Sequence, residues 1–226
     1  MSLTENSRLR GQHALFSPSQ PAWLNYNDEE FISKLTSKYR SNIGTEIHEW
    51  CACQIFLRHK ASGLREIYKD IETHIYEKYS SVEYGLSDFG FTLLKNLKYI
   101  PEETFGTVKN YINDCVGFGM EPEVLIDFTE NFFGTADAVR FDGKSLKIFD
   151  LKTGSVPGKI EQLLIYASLY FLKYKLDPKD HPVELRIYQG NDILRAIPET
   201  NDLIPVMNTV IHFDKLMNDV KGGALK

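Results

Sequence analysis

The sequence has few cysteines, no long apolar run and no excess of positive charge, and each absence argues against a class of protein. Its three cysteines, Cys51, Cys53 and Cys115, are odd in number and form no Cys-x-x-Cys pair, which favours a reducing cytoplasm over a disulfide framework. No stretch approaches the ~20 apolar residues of a membrane-spanning helix, and the first residues lack the apolar segment of a secretory signal. We therefore expect a cytoplasmic protein without a membrane partner.

The charge balance gives the chain no general attraction for nucleic acid. The formal net charge is −5 over 226 residues, and 42% hydrophobic with 25% charged residues is typical of a globular protein. Nucleic-acid substrates are still compatible with this charge, because an acidic centre that holds a metal can bind phosphates through a local basic rim. Six basic residues before the predicted sheet could form such a rim or simply a solvated helix face. They are Lys34, Lys38, Arg40, Arg58, Lys60 and Arg65.

The apolar spacing changes at Pro122, and this change indicates an α/β fold. Before Pro122, apolar residues recur at helical spacing, in one pattern ahead of Asn42 and in a longer one after it. After Pro122 we expect a three-stranded antiparallel meander, a helix and further strands. The expected parts of this single domain, 1–226, are an N-terminal segment (1–40), a helical insertion (61–120), a sheet core (121–198) and a C-terminal helix (200–221).

Two acids interrupt apolar strands on either side of a predicted hairpin. The pair 142–143, Asp-Gly, is a strong signal for a two-residue turn, and such a turn places Asp137 opposite Ile148. Side chains alternate with period two, so Asp137, Asp150 and Lys152 are expected on one face, with the two acids as diagonal neighbours. A four-residue loop would set Asp137 directly opposite Asp150, and only an odd shift such as a bulge would separate them.

Two carboxylates on a partly buried face repel each other unless a cation lies between them. All-oxygen ligation suits Mg²⁺ or Mn²⁺, and Lys152 beside the ion could orient or deprotonate a metal-bound water. The metal would stabilise the charge that develops on a phosphodiester under attack. The alternative is that the acids are turn or cap residues, with Asp150 and Lys152 as a solvated edge pair.

Four short motifs follow one another along the chain: GTEIH at 44–48, GTAD at 134–137, DLK at 150–152 and QLLIY at 162–166. Together they resemble the RecB-like branch of the PD-(D/E)XK nuclease superfamily, which includes CRISPR-associated and phage exonucleases. That branch has GxxxH on a helix, a strand Asp, a D/E-x-K strand end and QxxxY on a helix. The resemblance implies a restriction-endonuclease-like core and leaves 61–120 unmatched.

The resemblance also implies a role for each matched residue. The implied ligands of Mg²⁺ or Mn²⁺ are His48, Asp137, Asp150 and the backbone carbonyl of Leu151. The implied catalytic group comprises Lys152, Asp137, Asp150, Gln162 and Tyr166. Gln162 and Tyr166, one helical turn apart, would position Lys152, the scissile phosphate or the DNA end. Some relatives hold an iron–sulfur cluster with cysteines after the nuclease core, but no cysteine follows Cys115, so we expect no cluster.

These observations predict a metal-dependent DNA nuclease that acts on single-stranded or duplex ends. The resemblance favours an exonuclease of recombination or repair, with a recombination protein as a partner, and it fits a phage origin. Three alternatives stay open: a DNA endonuclease of the same fold, a non-catalytic DNA-binding accessory protein, and a metal-free structural domain whose strand acids pair with arginines.

Overall fold

The chain forms helices and two sheets, which confirms the expected α/β class. The structure, a computed structural model, describes residues 16, 18 and 21–223. Within these residues the helices are α1 (Asp28–Phe56), α2 (Leu64–Tyr79), α3 (Asp88–Leu97), α4 (Glu102–Phe118), α5 (Ile160–Tyr174) and α6 (Thr200–Lys221). The strands are β1 (Ser80–Ser81), β2 (Gly85–Leu86), β3 (Glu121–Thr129), β4 (Phe132–Phe141), β5 (Leu146–Leu151), β6 (Val183–Gln189) and β7 (Asp192–Ala196).

Helix α1 is longer than predicted, because the two apolar patterns around Asn42 form one helix of 29 residues. It begins with a capping box, in which the Asn27 side chain accepts from the Glu30 N–H and the Glu30 carboxylate accepts from the Asn27 N–H. Asn42 has a weak helix propensity, but burial of the adjoining Ile43 and of Ile47 holds the helix through this point. The backbone therefore has no break at the expected boundary near residue 40.

The main sheet has five strands in the order β3-β4-β5-β6-β7. Strands β3, β4 and β5 form the expected antiparallel meander. Strand β6 pairs in parallel with β5, and helix α5 supplies the crossover that a parallel connection needs. Strand β7 then closes the sheet as an antiparallel edge. Strands β4 and β5, which carry the GTAD and DLK motifs, therefore lie inside the sheet and not at its edge.

The β4–β5 hairpin has a four-residue loop, so the predicted two-residue turn was wrong. Phe141 pairs with Leu146, which leaves 142–145 as the loop. Continuing this register by one residue beyond its last regular pair, Ala138 with Phe149, places Asp137 opposite Asp150. The hairpin therefore follows the alternative register, and its regular pairing ends one residue before the two acids.

The side chain of Asp142 explains the longer loop. Its Oδ1 accepts the backbone N–H groups of Lys144, at 2.9 Å, and of Ser145, at 2.8 Å. Such hydrogen bonds let an Asp side chain replace backbone partners inside a turn. Gly143 takes a left-handed φ of 83°, which a glycine adopts without steric cost.

The five-stranded sheet separates two apolar clusters, and strand β5 contributes to both. One cluster joins Phe149 and Leu151 of β5 to buried residues of α1, α2, α3 and α4. The other joins Ile148 of β5 to Leu163 and Phe171 of α5 and to residues of α6. Because β5 is covered on both faces, a shift of one residue would bury the wrong side chains, and its register is strongly specified.

Helices α2, α3 and α4 fall within the segment expected to be a helical insertion. Ile67, Ile71 and Ile75 of α2 are buried in the cluster that includes α1. Asn113 of α4 joins the beginning of the segment to its end, since its amide accepts from the Ala61 N–H at 2.9 Å and donates to the Ala61 carbonyl at 3.0 Å. Among the described residues, none of the helices combines the length and apolar character needed to span a lipid bilayer.

Candidate metal centre

Asp137, near the middle of β4, is held between helix α1 and strand β5. Its Oδ2 accepts the backbone N–H of Leu151 at 2.9 Å and lies 3.4 Å from Nδ1 of His48. The side chains of His48 and Asp137 are 28% and 19% exposed, so both reach water. The structure thus brings together three predicted metal-site residues from three separate elements. Imidazole nitrogen and carboxylate oxygen are both common ligands of divalent metals.

Asp150 and Lys152 form the second part of the site, on the α5 side. Asp150 is only 3% exposed. Its Oδ1 accepts a hydrogen bond from Lys152 Nζ at 3.0 Å, and the same ammonium donates to Gln162 Oε1 at 3.3 Å. Oδ2 of Asp150 lies 2.9 Å from Lys152 Nζ, within ion-pair distance, but has no partner with hydrogen-bond geometry. Lys152 therefore connects the DLK strand end to the QLLIY helix.

Burial and a neighbouring acid together perturb the pKa of Asp150. Burial, followed by the charge of Asp137, raises the pKa of Asp150 to about 6, although Lys152 and His48 act in the opposite direction. The two acids are thus close enough to interact, and the cations present do not compensate for their repulsion. A strongly perturbed carboxyl at a cleft is a recognised sign of a functional site.

Tyr166 docks helix α5 on strand β4. Its hydroxyl donates to the backbone carbonyl of Thr135 at 2.8 Å. Gly134 makes room for this contact, because a Cβ at that position would lie 2.9 Å from Cε1 of the Tyr166 ring. Gln162 lies one turn earlier on the same helix, so the Tyr166 contact helps to set its position against Lys152. Tyr166 is therefore a positioning residue in this structure.

Gly44 allows helix α1 to approach the end of β5. A Cβ at Gly44 would lie 2.7 Å from Oγ1 of Thr153, the residue that follows Lys152. His48 lies about one turn further along α1, so this close approach sets the imidazole against the hairpin. The absence of a side chain, rather than backbone freedom, is what the helical glycine contributes.

Gln189 is a positioning residue that sequence reasoning missed. At the end of β6, its amide group donates to the backbone carbonyls of Gly154 and Val156 at 2.6 and 2.8 Å and accepts the N–H of Gly158 at 2.9 Å. These bonds hold the loop that follows Lys152. The only sequence signal is a polar residue at the end of a buried strand, which is too common to be informative.

A cleft of about 1380 Å³ opens onto His48, Asp137 and Lys152, whereas Asp150, Gln162 and Tyr166 do not line it. Its volume exceeds the ~300–1,000 Å³ of typical small-molecule pockets, and the cleft is lined by residues of α1, by the beginning of α4 and by the loop after β5. The charged lining residues are the acids Glu49, Glu103, Glu123 and Asp137 and the bases Arg40 and Lys152. Because acids outnumber bases, the cleft repels a phosphate unless it also holds a cation.

Glu123 is the second residue that the sequence analysis missed. Continuing the β3–β4 register places it opposite Asp137. A ligand atom of Glu123, one of His48 and one of Asp137 all lie within 4.8 Å of one another. Burial, then the charges of Asp137 and Glu49, raise the pKa of Glu123. The sequence signal that could have identified Glu123 is an acid in the strand expected to pair with β4.

A second acidic group, formed by Glu46, Glu49 and His74, has a different character. Nζ of Lys78 donates to both carboxylate oxygens of Glu46, at 3.1 and 2.9 Å, and also to Glu49. Both carboxylates of this group are therefore already paired with an ammonium, and the group forms a structural ion network between α1 and α2. It is not a second candidate for a metal site.

The basic residues expected at phosphates separate into two kinds. Arg40 of α1 lines the cleft, on the same side as His48. Arg58 instead donates a hydrogen bond to the backbone carbonyl of Met120, which joins the end of α1 to the start of β3. Arg40 is therefore the better candidate for a phosphate contact.

Comparisons of the chain with protein-family models, with curated proteins and with solved structures gave no match. The chemistry of the site is therefore the basis for its function. It combines an imidazole, several carboxylates, a partly exposed ammonium and a large open cleft.

Proposed function

We propose that this protein is a Mg²⁺- or Mn²⁺-dependent DNA nuclease with a restriction-endonuclease-like core. The observation that carries the proposal is the convergence of four motifs that are far apart in sequence. Gly44 of the GTEIH motif lies close to Thr153, the residue after the DLK motif. Asp137 of the GTAD motif contacts His48 of GTEIH and the backbone of Leu151 in DLK. Gln162 of the QLLIY motif contacts Lys152 of DLK. A fortuitous set of motif matches has no reason to be joined by such contacts.

The residues present fit a divalent cation. Asp150 is nearly buried, keeps one oxygen without a hydrogen bond, and has its pKa raised by burial and by Asp137. The residues that would hold the cation are Asp137, Asp150, His48 and the carbonyl of Leu151. A bound cation would supply charge stabilisation to a phosphodiester under attack and acidify a bound water. It would also compensate for the excess of acids in the cleft.

Lys152 is the residue that we assign to the attacking water. Its ammonium is fixed by Asp150 on one side and by Gln162 on the other. Held in this way, Nζ can orient the attacking water or stabilise the developing negative charge on the phosphate. Gln162 restricts the ammonium, and Tyr166 fixes the helix that carries Gln162. Pre-organisation of this kind lowers the cost of reaching the transition state.

The preference for an exonuclease over an endonuclease rests on the family resemblance. Pro101, between α3 and α4, and Glu103 of α4 line the cleft together with the loop 153–157 after β5. The cleft thus has walls from both the helical segment and the sheet. Four further parts of the proposal rest on the sequence analysis alone. They are a role in recombination or repair, a recombination protein as partner, a phage origin and a cytoplasmic location.

The test is cleavage of labelled single-stranded and duplex DNA in Mg²⁺, Mn²⁺ or EDTA. Cleavage should require the metal and should be lost in Lys152→Ala, whereas DNA binding measured by fluorescence anisotropy should remain. The matched control is Lys173→Ala, since Lys173 lies on α5 but pairs with Asp127 away from the cleft.

The outcomes separate the remaining alternatives. Cleavage that persists in Lys152→Ala would contradict the assigned role, and DNA binding without cleavage in any metal would identify an accessory protein. A covalently closed circular substrate that is cut would identify an endonuclease. Labels at the 5′ or the 3′ end report the polarity of digestion.

A further inference from the structure

We propose that helix α3 and the turn after it form a binding surface for unpaired DNA at the rim of the cleft. The surface, which we call the α3 surface, consists of Phe91, Lys95, Lys98 and Tyr99. Phe91, Lys95 and Lys98 repeat at the spacing of one helix face, and Tyr99 follows Lys98 directly. An unpaired strand would then be the substrate class of the proposed nuclease, and the biological meaning of the surface rests on that proposed function.

The backbone continues in a helical direction past the end of α3. The N–H of Tyr99 donates to the Asn96 carbonyl and the N–H of Ile100 donates to the Leu97 carbonyl, both at 3.0 Å. These bonds extend the helix as a tighter turn, so Tyr99 stays on the side of Lys95. On the opposite side of α3, Leu93 and Leu97 are buried in the core. The α3 surface therefore faces water.

Each aromatic ring of the α3 surface lies beside an ammonium. Phe91 is 51% exposed and Tyr99 is 62% exposed. Nζ of Lys95 lies 4.4 Å from the centroid of the Phe91 ring, and Nζ of Lys98 lies 4.8 Å from the centroid of the Tyr99 ring. Cation–π attraction at these distances holds both ammonium groups against the rings. Proteins that bind single strands combine such features, since rings stack on bases and cations contact the phosphates.

The two ammonium groups are available to phosphates. Within the described part of the chain, neither Lys95 nor Lys98 forms an ion pair. Lys78 and Lys173 also lie over tyrosine rings, but carboxylates already pair with both of them. The charge of the α3 surface is therefore complementary to DNA, although the formal net charge of the whole chain is −5.

The α3 surface is continuous with the cleft. Ile100 and Pro101, the two residues after Tyr99, line the cleft, so a strand that contacts Tyr99 is already at the rim. Only an unpaired strand can stack on the rings, because the bases of a duplex are stacked on one another and must be extruded before a side chain reaches their faces. The surface should therefore distinguish an unpaired strand from a duplex.

The experiment is fluorescence anisotropy of labelled DNA in EDTA, so that binding is measured without metal-dependent cleavage. A single strand should bind more tightly than its blunt duplex and than a strand of the same length with abasic sites. Tyr99→Leu and Phe91→Leu should each weaken binding of the single strand by about 5- to 150-fold, the range for loss of one stacked base. Neither should change binding of the abasic strand. Tyr99→Phe keeps the ring and should bind like the unmodified protein.

The lysines should give a different signature from the rings. Lys98→Gln should weaken binding of both the single strand and the abasic strand, because both keep their phosphates. It should also lower the slope of log affinity against log salt concentration by about 0.7, the value for one phosphate contact on a single strand. Tyr99→Leu should leave this slope unchanged.

Tyr174→Leu is the matched control. Tyr174 is 51% exposed and lies under Lys173, but it is outside the residues that line the cleft, and Lys173 pairs with Asp127. This variant should bind all three DNAs like the unmodified protein. A single strand that binds no more tightly than the duplex, or a Tyr99→Leu variant that weakens the abasic strand equally, would refute the α3 surface. Circular dichroism of each variant confirms that the fold is retained.

Failure of the α3 surface and failure of the nuclease function give different results. If binding of the single strand depends on the rings but no DNA is cleaved in any metal, the surface stands and the nuclease proposal is refuted. If Lys152-dependent cleavage is found but Tyr99→Leu and Phe91→Leu bind the single strand like the unmodified protein, the surface alone is refuted.

Discussion

Replacing Asp150 with Asn should make the metal-free protein more stable at neutral pH while removing its metal-dependent activity. The substitution keeps the size of the side chain and an oxygen that can accept from Lys152 Nζ. It removes a negative charge that is 3% exposed and is repelled by Asp137. A functional carboxylate of this kind is expected to reduce the stability of the fold.

The magnitude follows from the pKa of Asp150. Burial and Asp137 raise this pKa from 3.8 to about 6, and at about 1.36 kcal/mol per pH unit the charged form costs the folded state at most about 3 kcal/mol. Because the folded state binds the proton more tightly, the cost is absent below the unfolded pKa of 3.8 and complete above about 6. We expect Asp150→Asn to gain about 1–3 kcal/mol at neutral pH, which raises Tm by roughly 2–12 °C.

The assay is urea and thermal denaturation of both proteins in EDTA across the acidic and neutral range. The stability difference should appear as pH rises from about 4 to about 6 and should then stay constant. Mn²⁺ at about 100 times its Kd should add about 2.7 kcal/mol to the unmodified protein and less to the variant. Mn²⁺ should therefore remove most or all of the stability advantage of Asp150→Asn over the unmodified protein.

Glu184→Gln is a control for which the expected change in stability has the opposite sign. Burial raises the pKa of Glu184, but its ion pairs with Arg186 and Arg195 outweigh burial and lower it. Loss of that charge should therefore destabilise the protein above the unfolded pKa of the group. An Asp150→Asn variant that is no more stable than the unmodified protein at neutral pH in EDTA, or that responds equally to Mn²⁺, would refute the reasoning.

Two further predictions concern residues that position the site. Gly44→Ala should reduce the cleavage rate, because its Cβ would lie 2.7 Å from Thr153 Oγ1. Adding Thr153→Ala in the same chain should restore the rate, since it removes that oxygen. A double variant whose rate is not restored would show that another contact matters. Tyr166→Phe should cost about 1 kcal/mol in urea denaturation, since it removes one hydrogen bond, to the Thr135 carbonyl. It should affect the cleavage rate only modestly, and complete loss of cleavage would instead assign Tyr166 a direct catalytic role.

Much of the fold could be predicted because it depends on local patterns. The change of spacing at Pro122 separates the helical segment from the sheet, and the C-terminal helix α6 has the predicted bounds, Thr200–Lys221. The predictions that failed were decided by interactions outside the pattern. Asn42 resembled a helix boundary, but buried neighbours carry the helix through it. The two-residue turn at 142–143 was replaced by a four-residue loop because Asp142 accepts two backbone hydrogen bonds.

The sequence by itself determined which chemical groups are available and which elements carry them, since periodicity and motif spacing act over a few residues at a time. It identified Asp137, Asp150 and Lys152 as groups to be placed near each other. Tertiary structure alone decided that Asp137 meets His48 while Lys152 bridges Asp150 and Gln162, and that Glu123 joins the first of these pairs. The physical reason is that packing across the sheet and a single left-handed residue in β3, Glu123, set these distances, and neither leaves a periodic trace in the chain.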